Sequence, residues 1–217
     1  MGEYVTTWET IPGETPIDPS GLRPRLRKKI RTRDELNPVE EENVLVAIKK
    51  YLSGVPSDKK APFTEQWALR LHREMFGQVW VWAGNFRTFD VTIGIPPEQV
   101  QIEFHKLFAD IHHWQESDMT ILEQAATLHY RAVKIHPFQN GNGRWARLLA
   151  NIWLRQRGHP ITRWPETGLA GNESPVRPEY IPALKEADKH SLKPLIDLHE
   201  RYSATAVNHT ETESDET

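Results

Sequence analysis

Apolar residues recur on a helical period through most of the chain, and the pattern predicts a mainly α-helical protein. Asn37 offers an N-cap and Pro38 suits a first helical position. Val39, Val44, Leu45, Ile48 and Leu52 then define a helix over about 38–52. Thr64 caps a second helix, in which Trp67, Leu71 and Met75 fall at i, i+4 and i+8 before Gly77 ends it. The period returns over about 98–114 (Val100, Phe104, Leu107, Ile111) and about 120–135 (Leu122, Ala125, Leu128, Ala132, Ile135). It continues over about 144–157, with Leu148, Ile152 and Trp153 apolar and Gly158 as a stop, and then over about 177–189 and 192–202.

Between the second and third helices the pattern changes in kind. Residues 79–87 are aromatic and punctuated by Gly84, and residues 89–96 carry β-branched residues before Gly94, which predicts a short β-hairpin or flap. The first 35 residues are irregular and proline-rich, and the stretch 23–33 is basic without an acid. It reads as an arm packed on an acidic face rather than as a nucleic-acid contact. Residues 203–217 are rich in Ser, Thr and acids with no apolar face, which predicts a disordered acidic tail. The expected division is therefore an arm over 1–35, one domain over 36–202 and a tail over 203–217.

Composition narrows the classes. With 38% hydrophobic and 26% charged residues, and no apolar run near the roughly 18 that a membrane span needs, a membrane protein is excluded. The N-terminus lacks a secretory pattern, so a cytoplasmic location is expected. The absence of cysteine removes disulfide and thiolate chemistry, and a formal charge of −3 gives no global attraction to nucleic acid. His129 lies seven residues before His136 and could suggest a metal pair with His105 or His112. A buried, hydrogen-bonded histidine is the commoner arrangement, and no carboxylate is spaced to complete a metal set.

The chemistry concentrates in one run, His136-Pro137-Phe138-Gln139-Asn140-Gly141-Asn142-Gly143-Arg144-Trp145-Ala146-Arg147, between two helices. A helix that begins at Gly141-Asn142-Gly143 presents unpaired N–H groups and a positive dipole end, and glycines let an anion approach the backbone. Arg144 and Arg147 lie three apart on one helix face and lean toward the N-terminus, so both can answer a polyphosphate. His136, just before the loop, can take a proton from an attacking hydroxyl if its imidazole is neutral. Phe138 reads as an anchor of the loop in the core.

This run resembles the signature of the Fic domain family, H-P-F-x-[D/E]-G-N-G-R-x-x-R, with Asn140 at the acidic position. Trp82-Ala83-Gly84, Arg87 and the segment from Val91 extend the resemblance over about 36–202, nearest to the group labelled mobile mystery protein B. The resemblance implies a Fic-type helical bundle with a β-hairpin flap. It implies transfer of a nucleoside monophosphate, most simply AMP from ATP, to a Ser, Thr or Tyr hydroxyl of a target protein, with His136 as base. Gly141, Asn142 and Gly143 would hold phosphates, Arg144 and Arg147 the distal phosphates, and Mg²⁺ would sit beside residue 140, where Asn140 supplies no charge. Val91, Thr92, Ile93 and Gly94 would form the flap edge that pairs with a target segment. Members of the family are often blocked by a helical glutamate within [S/T]-x-x-x-E-[G/N] that pairs with the second motif arginine. Glu42-Asn43 fits the end of that pattern, but Pro38 stands where Ser or Thr belongs, and Glu40 competes for the role. A solvated acidic face on the first helix is the preferred reading, with an inhibitory partner protein as another candidate. The rival reading of the whole is a nucleotide-binding module without turnover.

Overall fold

The computed structural model describes residues 18–91, 93–114, 116–165 and 175–204. Among these, a 3-10 turn at Pro19–Gly21 leads into the helices α1 (Pro24–Arg27), α2 (Arg33–Leu52), α3 (Glu65–Phe76) and α4 (Pro97–Trp114). These are followed by α5 (Ile121–Ile135), α6 (Asn142–Gln156), α7 (Arg177–Asp188) and α8 (Lys193–Ala204). The mainly helical expectation is met, and α3 to α6 fall where the apolar period puts them. Thr64 caps α3 by accepting from Trp67 N–H, and Thr120 caps α5 in a reciprocal box with Glu123. The packed hairpin of α5 and α6 forms the centre, with α2 and α3 against one side of α6 and α8 against α5.

The start of α2 corrects the expectation. Thr32, not Asn37, is the N-cap, and with Glu35 it closes a reciprocal capping box, so the helix begins five residues earlier. Pro38 then lies inside the helix on an exposed position, where losing one backbone donor is tolerated because water serves the carbonyl it abandons. The buried stripe is also rotated: Leu36, Glu40, Val44, Ala47 and Tyr51 face the core, whereas Leu45 is half exposed. A carboxylate occupies a core position of this stripe, which an apolar-only pattern cannot register.

Residues 18–31, expected as part of an irregular arm, are packed on the bundle. Leu22 and Ile30 belong to the main core, and Leu22 pairs with Trp80 as an isolated antiparallel bridge. Arg23, Arg25 and Arg27 of the basic run are engaged there. Arg23 Nε donates to Gly77 O at 2.8 Å and Arg25 Nη2 to Gln78 Oε1 at 2.8 Å, so two cations sit at the carbonyl end of α3. Residues 1–17 of the expected arm, and 205–217 of the expected tail, lie outside the described residues.

Two apolar clusters build the interior. The larger spans α2 to α6, and the smaller packs Val176, Tyr180, Ala183, Leu195 and Leu198 of α7 and α8 on Ala126 of α5. Trp80 and Trp114 are core residues, and Trp82 stacks on Trp80 at 5.1 Å. Among the described residues of 87–96 no strand is formed: the segment crosses beside the end of α5 as bends and irregular backbone. Thr92 of the expected flap lies outside the described residues.

Candidate active site

The turn between α5 and α6 is built from three ties. His136 ends α5 in the left-handed region (φ 50, ψ 60), a conformation a non-glycine residue adopts only when its surroundings impose it. Asn142, at the start of α6, then folds its buried side chain back across the turn: Phe138 N–H donates to Asn142 Oδ1, and Asn142 Nδ2 donates to Phe138 O, both at 2.8 Å. His72 of α3 supports the far side, stacked on Phe138 with ring centroids 3.6 Å apart. Gly84 N–H donates to His72 Nδ1, which leaves the proton on Nε2 to be given to Asn140 O at 3.0 Å. Burial pushes His72 down to about 3, so it remains a neutral, fully paired strut.

The side chain of Asn142 is therefore committed to the turn and is not offered to a ligand. Asn142→Ala should leave Phe138 N–H and C=O buried without partners, at about 1–3 kcal/mol each. For a chain of this size that is a melting-temperature drop of roughly 4–24 °C by differential scanning calorimetry. A Tm within 1 °C of wild type would show that the tie contributes nothing.

Gly141 is the N-cap of α6 at φ 78, and a Cβ there would come within 2.6 Å of the buried Phe76 ring. Both backbone and space require glycine at that position. Gly143 differs: a Cβ there would meet nothing within 4 Å. Open space lies over the first turn of α6, where the N–H groups of Asn142, Gly143 and Arg144 precede Trp145, the first residue bonded back to Gly141 O. The run expected as an anion cradle is this first turn, with open space beside Gly143.

His136 lies at the other rim. Its Nδ1 faces Val133 O at 3.1 Å, which assigns the proton to Nδ1 and leaves Nε2 with a free lone pair. Enclosure of the ring, reinforced by the nearby Arg87 charge and opposed by the Val133 carbonyl, lowers its pKa to about 4. The carbonyl end of α5 favours imidazolium, and burial outweighs it. At neutral pH the ring is a base.

The two motif arginines diverge. Arg144 Nη2 donates to Glu40 Oε2 at 2.7 Å, and its guanidinium lies 4.7 Å over the Phe76 ring. Arg147 lies 5.9 Å from the Tyr180 ring of α7. Glu40 is buried and also accepts from Trp80 Nε1, so the preferred reading of a solvated acidic face is corrected at this residue. The arginine it meets is the first of the motif, not the second, and Glu42 is exposed. Asn140 Oδ1 accepts from Gly141 N–H at 2.6 Å. One neutral amide oxygen, already engaged, is a poor donor set for Mg²⁺, and among the described residues no group of three His, Asp or Glu side chains converges as a metal site.

His72 is the residue of this site that sequence reasoning missed; Glu40 was a candidate there, but as a restraint on the second motif arginine rather than a partner of the first. His72 shares the buried arc of α3 with Ala68 and Phe76 at i−4 and i+4, which is the signal that could have placed it beneath the loop. His129 is buried and hydrogen-bonded, as expected, with His199 and Tyr180 at 2.9 Å each.

Residues 62–154 match the model of the Fic/DOC family. The chain carries a Fic domain. It is 35% identical over 148 residues to the protein adenylyltransferase fic-1 of Caenorhabditis elegans, covering 64% of this chain and 27% of that protein. With the protein adenylyltransferase Fic of Drosophila grimshawi it shares 29% identity over 167 residues, 73% of this chain and 32% of that one. The chain thus spans about a third or less of the curated relatives it matches. Solved Fic-1 of C. elegans superposes with a TM-score of 0.61 at 26% identity, covering 80% of this chain and 50% of that chain. A Fic-domain signalling protein of Bacteroides thetaiotaomicron gives 0.65 at 24% identity, over 79% and 71%. BepC of Bartonella tribocorum, solved with bound AMPPNP, gives 0.62 at 18% identity, over 88% and 94%. The last two likenesses concern the fold. No helix among the described residues is long and apolar enough to cross a membrane.

Proposed function

We propose that this Fic domain transfers a nucleoside monophosphate, most simply AMP from ATP, to a Ser, Thr or Tyr hydroxyl of a target protein. The observation that carries the reading is a neutral His136 with Nε2 unengaged, one short turn from a glycine-opened helix N-terminus. The names of the curated relatives, protein adenylyltransferases, support the same reaction.

In the proposed step the target hydroxyl oxygen attacks the α-phosphorus and its proton passes to His136 Nε2. A new P–O bond forms, the bond from the α-phosphorus to the bridging oxygen of the β-phosphate breaks, and pyrophosphate leaves. The N–H groups of Asn142, Gly143 and Arg144 receive phosphate oxygens at the dipole end of α6. Arg147 supplies positive charge to the distal phosphates, while Arg144 supports the cradle through Glu40 and Phe76. Val91, Thr92, Ile93 and Gly94 present backbone to the target segment, which would pair with them as a β-flap edge. An inhibitory partner protein would act at the same approach.

Incubating the full chain with ATP, GTP, UTP and CTP, alone and with cell lysate, tests the reading by intact mass and radiolabel. A covalent gain of a nucleoside monophosphate is expected; retention of nucleotide without covalent label in any arm would replace the reading with a binding module. That second reading has one specific support, the neutral Asn140 whose oxygen is turned onto the loop.

Mg²⁺, which the family resemblance implies, finds little to hold it here. Asn140→Asp adds a formal charge at nearly constant volume beside the phosphate cradle, and hard cations favour carboxylate oxygen. The variant should label faster with Mg²⁺ and bind ATP more weakly than wild type in chelator, where the new charge repels phosphate. Calorimetric ATP titrations with Mg²⁺ and with chelator check both signs, and identical metal dependence in the two proteins would place residue 140 away from any metal.

A further inference from the structure

Arg87 has no part in the chemistry above, yet it is 4% exposed and gives its whole guanidinium to backbone. Arg87 Nε donates to His136 O at 2.6 Å, and Nη2 donates to Ile135 O at 3.3 Å, so two bonds cap the carbonyl end of α5. Nη1 donates to Phe89 O at 3.0 Å, and Nη2 also donates to Ile95 O, so two bonds hold the segment that follows it. The main chain adds a fifth tie, with Arg87 N–H donating to Pro137 O at 2.9 Å. A buried cation with carbonyl partners is stabilised by converging dipoles, here including the negative end of α5. Five donors in one rigid plane suit that task, and the three rotating donors of a lysine do not.

A second contact joins the same two elements. Gly94 stands at φ 136, and a Cβ on it would come within 2.7 Å of His136 Cβ and 2.9 Å of Arg87 Nη2. Gly94 therefore rests directly on the histidine, and the left-handed turn at His136 is held on its carbonyl side by Arg87.

We propose that Arg87 is a positioning residue that couples the 89–95 segment to His136, so that the placement of the base depends on the conformation of the segment that receives the target. This rests on the function proposed above. Arg87 touches no reacting atom; it acts through the Ile135 and His136 carbonyls and through Gly94. A target strand that settles on the segment would be registered against a base already fixed to the same clamp.

The test uses the full chain and His136 itself as reporter. Imidazole NMR of wild type, Arg87→Met, Arg87→Lys and Gly94→Ala follows the His136 titration and its Nδ1–H tautomer, and calorimetry measures ATP binding. Arg87→Met should raise the His136 midpoint by about one pH unit or more, since a charge is removed and the ring is let into solvent. Arg87→Lys keeps the charge but not the fork, and should still shift the His136 and 89–95 resonances. Gly94→Ala, distant in sequence, should perturb His136 by pressing on it. ATP affinity should stay within twofold in all three, because the cradle at 141–144 is untouched. Where labelling by wild type is detected, it should fall 10- to 100-fold in Arg87→Lys.

A folded Arg87→Met or Arg87→Lys with wild-type His136 titration, tautomer and segment shifts would overturn the coupling. Should Arg87→Met fail to fold, Arg87→Lys and Gly94→Ala decide the matter on the same resonances. Loss of the proposed transferase reading is told apart from loss of this one. Wild type would then fail to label, while the NMR coupling between residues 94, 87 and 136 would stand or fall by itself.

Discussion

His136→Ala should reduce covalent labelling by about 10²- to 10⁴-fold while ATP affinity stays within a factor of about two, because general-base assistance carries that range of rate. The separation of the two readouts follows from the geometry. Phosphate contacts are assigned to the first turn of α6 and to Arg147, whereas the imidazole is fixed at the opposite rim by the Val133 carbonyl and the αL backbone. Removing the ring removes the proton acceptor and leaves the anchor. The pH dependence carries a sign. With its pKa lowered to about 4, the histidine stays an unprotonated base as pH falls below the usual 6.5, and the acid limb of labelling should lie well under that value. Bound phosphates raise the limb somewhat by favouring imidazolium. A variant that labels at the wild-type rate, or an acid limb above pH 6.5, would remove His136 from the role of base.

Legibility varied with the kind of force that shapes each element. α3, α4 and α5 could be read to within a residue or two because the apolar stripe is clear in each, and in α3 cap and stop agree with it, as Thr64, Trp67-Leu71-Met75 and Gly77 show. α2 misled because two signals competed. Asn37-Pro38 imitates a helix start, while the true start is a capping box at Thr32 and Glu35 that lacks an adjacent apolar run. The loop motif could be placed from its residues, and so could the anchor role of Phe138, which is fully buried. The purposes of individual polar side chains in it could not. Asn142 and Arg144 are of types that bind phosphate, and only tertiary structure shows one tying Phe138 and the other paired with Glu40, 104 residues away. Arg87 belongs to the same class, a charged residue whose partners are backbone carbonyls of the α5 end and of the segment that follows it, and hence invisible to side-chain pattern.

Glu40→Ala should be among the most destabilising single changes in the chain, lowering stability by about 3–5 kcal/mol, since it removes one member of a buried ion pair. Glu40 and Arg144 have side chains only 7% and 12% exposed, and the pair is separated by 2.7 Å. Glu40 also accepts the Trp80 indole N–H, so its loss orphans two donors at once. Among the described residues Arg144 Nη1 has no hydrogen-bond partner, so without Glu40 the Phe76 ring beneath the guanidinium does little to offset its burial. The expected fall in Tm is roughly 6–20 °C. Glu40→Gln should lose less, because the amide oxygen can still receive the indole. Adding Arg144→Met to Glu40→Ala should recover part of the loss, since no unpaired charge then remains buried. The rival role makes the opposite prediction. A glutamate that restrains the site would, once removed, raise labelling and leave the fold intact. The contact observed is with Arg144, packed on Phe76 beneath the loop, rather than with Arg147, to which the distal phosphates are assigned. Thermal melts and labelling rates measured on the same preparations separate the two. Raised labelling at a wild-type Tm would make Glu40 a brake, whereas a large Tm loss without gain of labelling makes it the inner support of the cradle.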